Sequence, residues 1–455
     1  MILSACQLEL RTLLRSPLRL ITLALVLGTG LFVLLQGQTD VERWQSSISA
    51  GEKAQEESIA EAQGYFAAGE KGPADRSWVD LSEAHWQDMY AANRMVRMPA
   101  PLAGIAFASA ESGATVVRVN RFADPMLAQG NKIENPALAS AGGLDLVTVL
   151  TLLLPLLILA LGIEVGGYER STGVLPLIRV QSGRDRSWIW ARSIAVGIIT
   201  AIVGLFLSCV AIFLGGADGG SSFILIALVL SYVAVWTVLL GVVASISKNP
   251  SHGAVALGAT WIVLCVLVPS VGVERLSSLA ADDFALDLTV EARDGFVEAF
   301  ELKEDELFAS LFTRFPDLAA DVPSPRRSVR RSAIDGVGIV ALENRMSARQ
   351  SRGQDYGNLV SQIGLLTPAV AFTYALEKLA DRGPESAWHF RRAVIAAVGE
   401  RMEKAIVADW RGTPLTKDDF DALVAGTPGR VMPLPVLWVK EFLTLIGWSI
   451  GLLLS

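Results

Sequence analysis

Long apolar runs that carry no charge, set between stretches as polar as any soluble protein, constrain this chain more than any other feature. About 20 consecutive apolar residues, wound as a helix, match the hydrocarbon thickness of a bilayer. Six segments reach that length: residues 18–36, 144–163, 189–214, 223–246, 254–271 and 435–454. The last is the weakest, because Lys440 and Glu441 stand near its start. Both can reach headgroup level from the outer end of a helix, since long side chains snorkel. Composition agrees. The 455 residues are 52 % hydrophobic and 19 % charged, against about 45–50 % and about 25 % in an average soluble domain. The expected fold is mainly α, a polytopic membrane protein with six spanning helices.

Lys and Arg in short loops mark the cytoplasmic side. Arg11, Arg15 and Arg19 precede the first span, and Arg170, Arg179, Arg184 and Arg186 lie between the second and third. Lys248 follows the fourth, while the turn over 215–222 carries only Asp218. Together they predict a cytoplasmic N-terminus, and six spans return the C-terminus to the same side. The first apolar run lacks a small-x-small cleavage site and continues as Gln36-Gly37-Gln38, so it reads as an uncleaved span and not a signal peptide.

The expected layout is an interfacial elbow helix over 1–17, a first span over 18–36, and an outer domain over 37–143. Four spans over 144–271 follow, with a cytoplasmic loop at 164–188. A second outer domain occupies 272–434, and the last span 435–455. Both outer domains read as mostly helical. Residues 40–66 are polar, rich in Ala, Glu and Gln, and free of Pro, which predicts a helix continuing out of the first span until Gly69 to Pro73 breaks it. The run Thr115–Val119 suggests a short strand. Phe284, Leu288, Phe296, Phe300 and Leu307 recur at helical spacing. Arg326 to Arg331 is a basic run that reads as a solvated face, or as a contact with the acidic surface of the other outer domain or with anionic headgroups.

Several functions lack their residues. There is no Gly-x4-Gly-Lys-Ser/Thr loop to cradle nucleotide phosphates, no His-Glu-x-x-His, and no Gly-x-Ser-x-Gly. His85, His252 and His389 have no metal-ligand spacing, and no basic patch points to nucleic acid. Cys6, Cys209 and Cys265 read as membrane-embedded or interfacial residues. Charged relays of an ion-driven carrier are missing from the middles of the spans, whose acids Asp145 and Glu164 stand at helix ends. Pro155 and Pro269 lie inside spans, where they read either as hinges or as tolerated kinks.

The most informative stretch leaves the second span at Glu164 and returns as the third at Arg192. It holds Tyr168, Glu169 and Arg170, then Gly173, then the apolar residues Val174, Leu175, Leu177 and Ile178, then the basic Arg184 and Arg186. Such an order suits a short amphipathic element at the inner surface, offering charges to a cytosolic partner, although an ordinary basic loop reads much the same way. The stretch resembles the coupling loop of ABC-2 type transporter permeases, with Glu169, Arg170, Gly173, Leu175, Leu177, Ser182, Arg184 and Arg192 in the matching places. Pro176 departs from the family, which more often has a helix former there. The opening Leu8 to Arg19, with Arg11 and Arg15, resembles the family's elbow helix. Phe122-Ala-Asp-Pro and the Thr367-Pro368-Ala-Val-Ala segment are similar to a subgroup with large outer loops in both terminal hairpins.

The resemblance implies a permease subunit that binds no cofactor itself and is not an enzyme. ATP and Mg would sit on a separate ABC ATPase. The other implied partners are a second permease copy or a related permease, the lipid membrane, and periplasmic proteins. Its setting would be a bacterial inner membrane, and its task export. Two rival readings stand beside it: a subunit that transmits force to outer partners and passes no substrate, and a membrane enzyme with its active site outside.

Overall fold

The computed structural model describes residues 2–91, 93–108, 115–119, 143–182, 185–272, 294, 297–321, 323, 329–337, 358–426, 429–435 and 438–454. The helices in chain order are α1 (Ile2–Arg15), α2 (Pro17–Ala68), α3 (Ala84–Tyr90), α4 (Leu146–Ser171), α5 (Leu175–Ser182), α6 (Asp185–Gly215), α7 (Gly219–Ile246), α8 (Pro250–Gly272), α9 (Glu304–Arg314), α10 (329–337), α11 (358–366), α12 (Pro368–Leu379), α13 (Pro384–Arg411), α14 (Lys417–Ala425) and α15 (Val439–Leu454). Three short strands, β1 (Asn93–Arg97), β2 (Val116–Val119) and β3 (Arg430–Val431), complete the described chain.

Five of these helices, α2, α4, α6, α7 and α8, are long and apolar enough to cross a membrane. The last expected span is shorter than the sequence suggests. Helix α15 has 16 residues, about 24 Å at 1.5 Å per residue, against about 30 Å of hydrocarbon. Glu441, expected to snorkel, is instead buried at 5 % exposure, and its Oε1 accepts from Lys378 Nζ at 3.1 Å.

Helix α2 runs without a break for 52 residues, about 78 Å. Ser16 caps its start and Pro17 opens it, where a missing N–H costs nothing. Gly69, at φ 69°, ends it. The Pro-free polar stretch therefore continues the first spanning helix well beyond its apolar part, as its composition predicts.

One apolar cluster joins the spans: Val33 of α2, Leu150 and Leu157 of α4, Val196 and Leu207 of α6, Tyr232 and Trp236 of α7, and Leu257 of α8. Helix α12 belongs to it through Phe372, Ala375 and Leu376. The segment from 358 to 380, expected within the second outer domain, thus packs against the spans. It folds as a hairpin, α11 then α12, turning at the fully buried Thr367.

The two long outer segments were expected as two domains. Their described parts fold instead as one body, because each supplies what the other must bury. Strand β1 pairs antiparallel with β2 and parallel with β3, so the sheet order is β2-β1-β3 and the third strand comes from the second segment. In β2 the alternation is complete, with Val117 and Val119 buried and Arg118 exposed. Met95, Val117, Val119 and Val431 face Phe390, Val394, Val398 and Met402 of α13. On the other side of β1, Val96 packs against Trp44 and Ile48 of α2. Ion pairs cross the same seam: Arg401 Nη1 donates to Asp88 Oδ1 at 2.8 Å, and Arg430 pairs with Glu52 at 2.7 Å. A further cluster around Leu307, Leu311, Ile334 and Trp410 joins α9 and α10 to the end of α13. Phe300 and Leu307 of the expected helical stretch are described; Phe284, Leu288 and Phe296 lie outside the described residues, as do Arg326 to Ser328 and the Phe122-Ala-Asp-Pro motif.

Candidate functional site

At the end of the spans where the chain begins, four elements meet on buried charges. Helix α1 is amphipathic, and Ala5, Glu9 and Leu13 at four-residue spacing form its buried stripe. Glu9 therefore faces the bundle. Its Oε1 accepts from Arg192 Nε of α6 at 2.5 Å, and its Oε2 lies 3.6 Å from Arg19 Nη1 of α2. Arg19 Nη2 donates to Glu164 Oε2 at 2.7 Å. Arg192 Nη1 donates to Glu169 Oε1 at 2.5 Å, and Glu169 Oε2 accepts from the Gly166 N–H at 2.9 Å. Glu9, Arg19, Glu169 and Arg192 are each less than a tenth exposed, while Glu164 opens towards solvent.

Arg170 completes the arrangement. Its guanidinium donates to the carbonyls of Ala244 (2.7 Å), Ser245 (2.6 Å) and Ser247 (2.5 Å). Ala244 and Ser245 lie in the last turn of α7 and Ser247 caps it, so these carbonyls have no partner within the helix and sit at its negative end. Glycine makes this docking possible. Gly166 holds φ 76°, and a Cβ there would lie 2.2 Å from the Ala244 carbonyl oxygen. The loop is thus pressed backbone to backbone against the end of α7. The six side chains, Glu9, Arg19, Glu164, Glu169, Arg170 and Arg192, balance in charge. Each buried ion is paired or hydrogen-bonded, the condition under which a buried charge is tolerated.

Beyond the junction the loop projects outwards. Gly173 reverses it at φ 73° with no neighbouring atom within 4 Å, so its glycine answers the backbone conformation alone. Helix α5 follows. Pro176 is its second residue, a place where the ring's missing N–H is harmless, so the departure from a helix former does not prevent the helix. Leu175 packs inward against the spans. Leu177 and Val180 are 59 % and 84 % exposed, and Tyr168 is also exposed. Arg11 and Arg15 lie on the exposed face of α1.

The junction gathers Glu164, Glu169, Arg170 and Arg192 of the expected loop residues. It leaves Tyr168 and Leu177 on the surface, and Arg184 lies outside the described residues. Sequence reading missed Glu9 and took Arg19 only as a marker of sidedness. A signal was there in Glu9, which interrupts an otherwise apolar stripe at the spacing of Ala5 and Leu13.

One other place was a candidate for chemistry. A groove on the outer body is lined by Phe315, Val407, Leu415, Glu403, Lys404 and Arg411. Its charges are already engaged, Glu403 by Arg314, Lys404 by Glu400 and Arg411 by Asp321. Among the described residues no group of three His, Cys, Asp or Glu is placed to hold a metal ion. No protein-family profile, curated protein or solved structure matches this chain.

Proposed function

We propose that this chain is the membrane subunit of an ABC-2 type transporter in a bacterial inner membrane. It would pair with a second copy or a related permease, and two separate ATPase subunits would supply ATP and Mg. Termini on the cytoplasmic side and an outer body in the periplasm complete the reading, with 435–455 as a sixth span. Trp438, in edge contact with Phe223 and Phe442, suits the outer boundary of that span, where aromatic side chains favour the interface. The transport direction on this reading is export.

One observation carries the proposal: the ionic junction that ties α1, α2, α6 and the C-terminal end of α4 into a single unit beneath an outward-facing apolar helix. Exposed Leu177 and Val180 offer a small apolar face to a cytosolic partner. A push there passes through Glu169 to Arg192 in α6, and through Glu9 to Arg19 in α2. The Glu169–Arg192 and Arg192–Glu9 links are charge-assisted hydrogen bonds and the Glu9–Arg19 link is an ion pair at 3.6 Å. Copurification of the chain with its ATPase tests the reading. Leu177→Asp with Val180→Asp is expected to release the ATPase while leaving the folded permease intact. Retained binding and unchanged ATP turnover would overturn it.

A second reading draws on the length of α2. A helix continuous from the junction to the outer body can act as a lever on periplasmic partners, with no substrate passing between the spans. Reconstituted vesicles separate the two. ATP-dependent loss of a trapped substrate class favours transport, whereas ATP-dependent movement of the outer body without flux favours the lever.

A further inference from the structure

Two of the spans carry a proline in their interior, and both wind as a π-helix just before it. The π turns are Val149–Leu153 in α4, ahead of Pro155, and Val263–Leu267 in α8, ahead of Pro269. Proline has no N–H, so each removes the donor for an earlier carbonyl. In α4 the carbonyl four residues before Pro155 is that of Thr151. In α8 the Val268 N–H is taken by Val263, five residues back. The next carbonyl, Leu264, would need the N–H of residue 269, which is proline.

Side chains from elsewhere fill both gaps. Tyr232 of α7 donates its hydroxyl to the Thr151 carbonyl at 2.7 Å. Thr367, at the tip of the α11–α12 hairpin, donates to the Leu264 carbonyl at 2.5 Å. Helix α12 reaches α4 and α7 as well. Its Thr373 hydroxyl lies 3.1 Å from that of Thr151, and its Phe372 ring stacks on Tyr232 at 4.2 Å and 3°. The neighbouring Leu152 carbonyl accepts from Trp261 of α8 at 3.2 Å, which ties the α4 π turn to α8 two residues before its own π turn.

We infer that helix Pro368–Leu379 is a latch on two proline hinges, standing in through Thr367 for the donor that Pro269 lacks and, through Phe372 and Thr373, holding Tyr232 and Thr151 where they serve the gap left by Pro155. Spans α4 and α8 bend together when this helix withdraws. A π turn holds one residue more than the α turn it replaces, so its loss rotates the rest of the span by about 100° and shifts it by about 1.5 Å. The outer body holds the other end of the latch. Arg97 Nη2 of β1 donates to the Asp381 carbonyl at 2.5 Å, and Arg382 Nη2 to Asp40 of α2 at 2.5 Å. A partner that shifts the outer body therefore pulls on both hinges. The inference stands apart from the transport reading, because its tests need no ATPase.

The test is hydrogen exchange on the full-length chain in lipid nanodiscs. Thr367→Val is expected to speed exchange of the 264–272 amides about fivefold, as loss of one hydrogen bond implies. Thr367→Ser keeps the donor and should match the native chain. Adding Pro269→Ala to Thr367→Val supplies the missing N–H from the backbone and should reverse the increase. No increase in Thr367→Val, or an increase that Pro269→Ala fails to reverse, would overturn the latch. Should Thr367→Val not fold, a second variant decides. Thr151→Cys with Thr373→Cys, in a chain whose native cysteines are replaced by alanine, is oxidised to a disulfide. Exchange should then slow at both π turns. Slowing confined to α4 would show that the hinges are independent.

Discussion

Glu9 and Arg192 lie 183 positions apart in the chain, yet they share a 2.5 Å hydrogen bond with both side chains almost wholly buried. The bond fixes α1 to α6, and Glu169 takes the other edge of the same guanidinium. Arg192→Ala leaves two buried carboxylates without their cation. Breaking a buried pair from one side costs about 3–5 kcal/mol, so a large fall in the thermal midpoint of the purified chain is expected. Glu9→Gln with Glu169→Gln removes the acids together with the cation in an Arg192→Met background and should recover much of that loss. A double-mutant cycle on Glu9 and Arg192 reads their coupling directly.

Gly166 and Gly173 both hold positive φ, but their surroundings differ. Gly173→Ala meets only the left-handed backbone penalty, about 1–2 kcal/mol. Gly166→Ala adds a Cβ 2.2 Å from the Ala244 carbonyl oxygen. It must lift the loop from α7 and strip Arg170 of its carbonyl partners. Midpoints for the two variants should separate clearly, with Gly166→Ala the lower. Equal midpoints would refute the docking account.

Arg401 and Asp88 join the two outer segments at 2.8 Å, each side chain no more than 2 % exposed. Arg401→Ala removes the guanidinium from Asp88 and the donor to the Ala91 carbonyl. Protease sensitivity of both segments should rise together, with a stability loss of about 3–5 kcal/mol. Cleavage confined to the second segment would mean that the body is two independent units.

Asp419 gives a pH signature. The Thr416 backbone N–H and hydroxyl both donate to its carboxylate and hold its pKa below the ordinary 3.8. A depressed folded-state value adds stability above the unfolded pKa and loses it as pH falls through the folded one. Helix α14 should therefore stay capped at neutral pH and fray only below the usual carboxylate range. Exchange of the 417–425 amides against pH measures this, and Asp419→Ala should show the frayed rate already at neutral pH.

The sequence by itself determined the elements that answer to local chemistry. Apolar runs free of charge give five helices of spanning length, and the Pro-free polar stretch after residue 36 carries the first of them on to Ala68. Gly69 and Gly173 mark turns that the backbone requires. The loop residues Glu164, Glu169, Arg170 and Arg192 stood out by the loop's order of charged residues, glycine and apolar residues between two spans. Tertiary structure decided the rest, since it depends on partners far away in the chain. Strand β3 has two residues and no periodicity to read, and only pairing with β1 makes it a strand. That pairing turns two expected domains into one body. Glu9 looks like any surface acid until α1 lies against α6. The 358–380 segment, grouped with the outer chain by its flanks, packs instead among the spans through Phe372, Ala375 and Leu376, with Thr367 donating to the Leu264 carbonyl. Backbone groups buried away from water must be satisfied from somewhere, and only the folded chain shows from where.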